Sequence, residues 1–198
     1  MSFQDILDPQ KIIALFGLLG VIAIVFAESG LFFGFFLPGD SLLFTAGLFA
    51  SQGHLSIGFL LIGVFIAAVA GDSVGYWFGK KTGPALFSRP DSRFFKQKYM
   101  EQAKSFYDQH GKKTIIFARF LPIVRTFAPI IAGIVGMNYR TFISYNIIGG
   151  FIWSIGLTLL GYFLGRIIPG IDQYLMPIII TIVVLSFIPG IIHLSKKR

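Results

Sequence analysis

The sequence predicts an all-α integral membrane protein with four spanning helices. Two oppositely oriented re-entrant helical hairpins form an inverted repeat, with a cytoplasmic amphipathic helix between the repeats. Three observations predict it. Of 198 residues, 55% are hydrophobic and only 13% charged, a balance that belongs to membrane proteins and leaves no room for a separate soluble domain. Two apolar stretches, 28–47 and 119–133, are each broken by proline and carry charge. Motifs of the first half recur about 86 residues later. The chain is therefore expected to be one membrane domain over 1–198. It divides into repeat 1 at about 28–83, the amphipathic segment 84–113, repeat 2 at about 114–170 and a C-terminal helix at 176–194.

The run from Ile12 to Ala27 reads as a retained first membrane helix, because Asp5 and Asp8 stand where a secretory signal would be basic. Glu28 opens the next stretch, which Pro38-Gly39 interrupts with Asp40 at the break. Neither half approaches the ~20 residues of a crossing, and irregular backbone at membrane depth survives only where protein or a water-filled cavity covers it. After a polar turn at 51–54, residues Leu55 to Gly79 are long enough to span. They contain Asp72 and lead a row of glycines at 71, 75, 79 and 83, a spacing that lets another helix approach closely. Between Lys80 and Lys113, nine basic residues oppose three acidic ones, a net of +6, which places this loop in the cytoplasm. Phe95, Tyr99, Ala103 and Phe106 recur there at helical spacing, as on a helix lying on the inner membrane surface or packed on its own protein.

Residues 119–133 concentrate the chemistry. Arg119, Arg125, Pro122 and Pro129 sit among apolar neighbours, where an arginine costs ~2.5–3.5 kcal/mol at a membrane helix centre. Six residues of unbroken helix turn ~600° and would leave the two guanidinium groups on different faces. A break at Pro122 lets both converge on one ligand. A second spanning helix at 141–165 contains Asn146, Gly149, Gly150 and Trp153. Trp77 and Trp153 read as core or interfacial aromatics. Residues 176–194 span again, and Lys196-Lys197-Arg198 is a second cytoplasmic marker.

Leu37-Pro38 matches Leu121-Pro122 at an offset of 84. Ala46-Gly47, Gly75-Tyr76, Gly79 and Lys80 match Ala132-Gly133, Gly161-Tyr162, Gly165 and Arg166 at 86. Counting crossings puts both termini and the basic loop in the cytoplasm, so the first broken segment enters from outside and the second from inside. Inverted repeats with broken segments meeting near the midplane are an architecture of secondary transporters.

Glu28, ProGlyAsp at 38–40, AlaGly at 46–47, GlyAspSerValGlyTyrTrpPheGlyLys at 71–80 and the arginine motif at 117–133 together resemble the DedA family of bacterial membrane proteins. That family shares the VTT, or SNARE-associated Golgi protein, domain. The resemblance covers roughly 20–165. It implies a multi-pass protein of the bacterial inner membrane that transports polyprenyl phosphate lipid carriers, notably undecaprenyl phosphate, with lipid scrambling among distant relatives. It also implies functional carboxylates at Glu28 and Asp40 and functional arginines at Arg119 and Arg125.

The residues give that expectation a chemistry. Arginine binds phosphate through bidentate, charge-assisted hydrogen bonds and stays ionised. Membrane carboxylates are the groups that take up and release protons, so Glu28 and Asp40 are expected to couple protons to lipid movement. Asp72 and Tyr76 are candidates to line the same cavity, with Pro38, Gly39, Pro122 and Pro129 at the breaks. The expected partners are the membrane, a polyprenyl phosphate or phospholipid, and protons; homo-oligomerisation stays open. Nucleic acid is a poor explanation for a net charge of +8 that lies beside hydrophobic runs. Cysteine is absent, no His or acidic pair has ligand spacing for a metal, and no cofactor is expected. Gly79-Lys80 lacks the glycine of a Walker motif at position 74. An intramembrane enzyme would need a nucleophile with a base or a metal, so the chain is expected not to be one. A general phospholipid scramblase and a non-transporting scaffold or insertion factor are the remaining alternatives.

Overall fold

The structure is a computed structural model and describes residues 9–32, 34–87, 105, 107, 113–168, 177 and 181. Among the described residues all regular structure is helical. Three helices are long and apolar enough to cross a membrane: α1 (Pro9–Gly30), α3 (Ile57–Phe87) and α6 (Tyr139–Ile167). Two 13-residue helices, α2 (Gly39–Ser51) and α5 (Pro122–Ile134), and the short α4 (Lys113–Ala118) complete the set. The expected C-terminal helix at 176–194 and the amphipathic helix fall almost wholly outside the described residues.

Local sequence explains where these helices begin and bend. Gly17 takes φ 54°, ψ −143°, so α1 is kinked there, at a residue with no Cβ to oppose a left-handed φ. A chain of tight turns, in which Gly34 N–H donates to Leu31 and Leu37 N–H to Gly34, carries the backbone from α1 to α2. Pro122 occupies the first turn of α5, where its missing N–H costs nothing. Leu121 before it is extended at φ −118°, ψ 108°, the conformation that a following proline imposes. Within α6, residues Phe151–Ile155 form a π turn, a local register shift often found at functional sites.

At 13 residues, α2 and α5 are about 20 Å long, short of the ~30 Å hydrocarbon layer. Each packs on a long helix from the other half of the chain. A Cβ on Gly47 of α2 would lie 3.0 Å from the Tyr162 nitrogen of α6, and one on Gly133 of α5 would lie 2.7 Å from the Lys80 nitrogen of α3. Gly47 and Gly133 are the positions that match at an offset of 86. The glycine row of α3 serves two neighbours. Gly71 meets Gly30 of α1, while Gly79 and Gly83 meet Ile130 and Ile134 of α5. Contacts this close exclude side chains and let dispersion hold helices together where lipid offers no hydrophobic driving force.

Candidate functional site

The breaks before α2 and α5 bring the first turns of both short helices together beside the C-terminal end of α1. Asp40 lies in the first turn of α2 and Arg125 in that of α5. Arg125 ion-pairs through Nη1 with Asp40 Oδ1 and through Nη2 with Glu28 Oε1. Glu28 is fully buried, and its Oε2 has no hydrogen-bond partner. Gly39 passes so close to this pair that a Cβ there would sit 2.8 Å from the Glu28 carboxyl carbon and 3.2 Å from Arg125 Nη2.

Arg119, in the turn after α4, serves a second cluster. Its Nη2 donates to Asp72 Oδ2 at 2.5 Å, to the Ala68 carbonyl at 3.2 Å and to Asn146 Oδ1. Asn146 in turn donates Nδ2 to the Val69 carbonyl at 3.0 Å, which fixes its amide orientation. Trp153 joins the clusters. Its Nε1 donates to Asp40 Oδ1 at 2.8 Å, and its ring lies 4.8 Å from the Arg125 guanidinium carbon and 5.8 Å from that of Arg119. The Nε of each arginine is buried with no acceptor, an unmet donor that is costly in a low dielectric.

A cavity of about 310 Å³ opens beside this array, lined by the polar side chains of Asp40, Arg119 and Trp153 together with Phe120, Ile152, Gly156, Leu157 and Leu160. Phe120, Ile152 and Leu160 are exposed on the outer surface. The cavity lining thus combines charged groups with apolar side chains that reach the surface.

The structure brings Glu28, Asp40, Arg119, Arg125 and Asp72 together, but in two groups: Arg125 with Glu28 and Asp40, Arg119 with Asp72. Gly39 abuts the first group, and the Pro38 carbonyl accepts from Leu42 N–H at 2.8 Å as α2 starts. Pro129 is buried and lies one turn beyond Arg125, where it offers no N–H to the Arg125 carbonyl. Pro122 sets the start of α5. Tyr76 lies elsewhere: it donates its hydroxyl to the Met137 carbonyl and stacks on Phe142 at 4.7 Å, so packing occupies it rather than the cavity. Among the described residues no cluster of His, Asp or Glu could hold a metal ion.

A model of the VTT domain matches residues 37–163, a span that contains α2, the arginine motif and Trp153. The chain belongs to the DedA/VTT family. It is 45% identical to Protein DedA of Escherichia coli K12 over 88% of this chain and 80% of that one. It is likewise 45% identical to an uncharacterized membrane protein of Mycobacterium leprae, over 94% and 83%. Inner membrane protein YqjA of Escherichia coli K12 is 33% identical over 83% of this chain and 74% of its own. No solved structure matches. For this DedA/VTT chain, sequence reasoning passed over two site residues, Asn146 and Trp153. Asn146 had a signal, as a lone amide within an apolar span. Trp153 had none, because an aromatic in a membrane helix is unexceptional.

Proposed function

We propose that this protein moves a polyprenyl phosphate lipid carrier, undecaprenyl phosphate by the family resemblance, across the bacterial inner membrane in exchange with protons, making and breaking no covalent bond. The observation that carries the reading is the cavity: buried Arg119, with an unmet Nε donor, lines it beside Asp40, the partner of Arg125, and apolar lining residues Phe120, Ile152 and Leu160 are exposed. A phosphate suits the first and a hydrocarbon tail the second. Two helix N-termini converge at the same place, and their dipoles favour an anion.

Charge balance supports proton coupling. Three carboxylates, Glu28, Asp40 and Asp72, already face two guanidinium groups. A phosphate entering this set adds negative charge to an array with a carboxylate in excess, so binding is favoured when a carboxylate takes up a proton. In this reading α2 and α5, with the breaks before them, are re-entrant hairpins that enter from opposite faces. Their length and the 86-residue correspondence of their crossings support it.

Reconstituted vesicles carrying labelled undecaprenyl phosphate test the proposal. Protein-dependent movement of the intact lipid, faster under a pH gradient, is the expected result. A changed headgroup would indicate an enzyme, equal movement of bulk phospholipid a scramblase, and no movement a scaffold. Arg119→Lys and Arg125→Lys should insert and fold yet reduce transport to background, because an ammonium cannot reproduce the bidentate fork.

A further inference from the structure

Trp153 is placed unlike any other aromatic of the described residues. It is 2% exposed, sits in the π turn of α6, lines the cavity, lies within 6 Å of both guanidinium groups and spends its one donor on Asp40. The same Asp40 oxygen accepts from Trp153 and from Arg125 Nη1. Anything that takes the place of Asp40 on Arg125 therefore also releases the indole N–H. A buried indole N–H needs an acceptor, and a phosphate bound to Arg125 would present an oxygen where the carboxylate oxygen had been.

We propose that Trp153 is a ligand-contacting residue of the phosphate site: its Nε1–H passes from Asp40 to a phosphate oxygen when the headgroup displaces Asp40 from Arg125. The proposal rests on the transport reading above and assigns that site a neutral donor beside its two cations. A phosphate accepting from the indole while ion-paired to Arg125 is held in one orientation. A neutral donor adds that constraint without adding a charge that would have to be desolvated.

The chain has two tryptophans, and Trp77 is 49% exposed on α3, against Tyr76 and Tyr139 and outside the cavity lining. Trp77→Phe leaves Trp153 as the sole emitter. In the purified full chain in nanodiscs, titration with farnesyl phosphate should change Trp153 emission saturably, whereas farnesol, with the same tail and no phosphate, should not. In parallel, Trp153→Phe in the otherwise wild-type chain keeps a ring between the arginines but removes the donor. It should weaken farnesyl phosphate binding, read by isothermal titration, about tenfold or more, the loss of one hydrogen bond to a charged group. Farnesol binding should be unchanged. Calorimetric binding by wild type with no change in Trp153 emission, or with equal affinity in Trp153→Phe, overturns the role of Trp153 and leaves the transport reading standing. Absence of calorimetric binding to wild type removes both. Trp153→Phe that fails to fold still leaves the emission titration to decide.

Discussion

Gly39 has no side chain, yet it decides how the charges meet. A methyl group there would collide with the Glu28 carboxylate, and the collision falls on the ion pair rather than on helix packing. Gly39→Ala is therefore expected to lower transport at least tenfold while shifting the apparent Tm by no more than about 2–4 °C, the equivalent of ~1 kcal/mol in a chain of this size. Asp72→Ala should behave in the opposite way. It strips the buried Arg119 of its carboxylate partner, a loss that costs about 3–5 kcal/mol, visible as a large fall in Tm in detergent. The sequence announces Glu28, Asp40, Asp72, Arg119 and Arg125 because charge in apolar surroundings is rare. It does not announce which carboxylate meets which arginine, since crossings between distant helices decide that. The Asp40 partnership of Trp153 is hidden for the same reason, since the two are 113 positions apart.

The short helices carry the next level of specificity. Gly47, Gly133 and Gly161 each place their backbone against that of a crossing helix, so a branched side chain has nowhere to go. Gly133→Val and Gly161→Val are expected to lower Tm sharply and to reduce insertion yield. Gly58→Ala is the contrast: nothing lies within 4 Å of its added methyl, and the change should stabilise α3 by roughly 0.5–1 kcal/mol. Prolines made the starts of α2 and α5 legible, because proline restricts its own φ and the residue before it. The π turn at Phe151–Ile155 left no such mark, and the glycine that the kink at Gly17 requires is one of 23 in the chain. The π turn needs no particular side chain, and which glycine kinks follows from packing that only the assembled helices supply.

Across the whole molecule, the match between halves places Lys80 near the end of α3 and Arg166 near the end of α6, each over an aromatic ring at 4.9 and 5.5 Å respectively. The inverted reading puts them on opposite membrane faces. In this cysteine-free chain, Lys80→Cys should react with a membrane-impermeant maleimide only from the cytoplasmic side and Arg166→Cys only from the other; labelling of both from one side contradicts inversion. The three long apolar helices of the described residues were readable because hydropathy is a local pattern. The exchange of short helices between halves was not, since no local pattern says which long helix a short one will choose. That exchange sets an order in time. When the ribosome finishes α5, its partner α3 is already made, but α2 must wait for Thr158 and Tyr162, more than a hundred residues after Gly47. At ~5–20 residues per second this interval is on the order of 5–20 s. Until residue 125 is made, a helix bearing Asp40 sits in or beside the membrane with neither its arginine nor its tryptophan yet synthesised, and until residue 153 it lacks the tryptophan, an interval in which an insertase or a quality-control protease would meet the nascent chain.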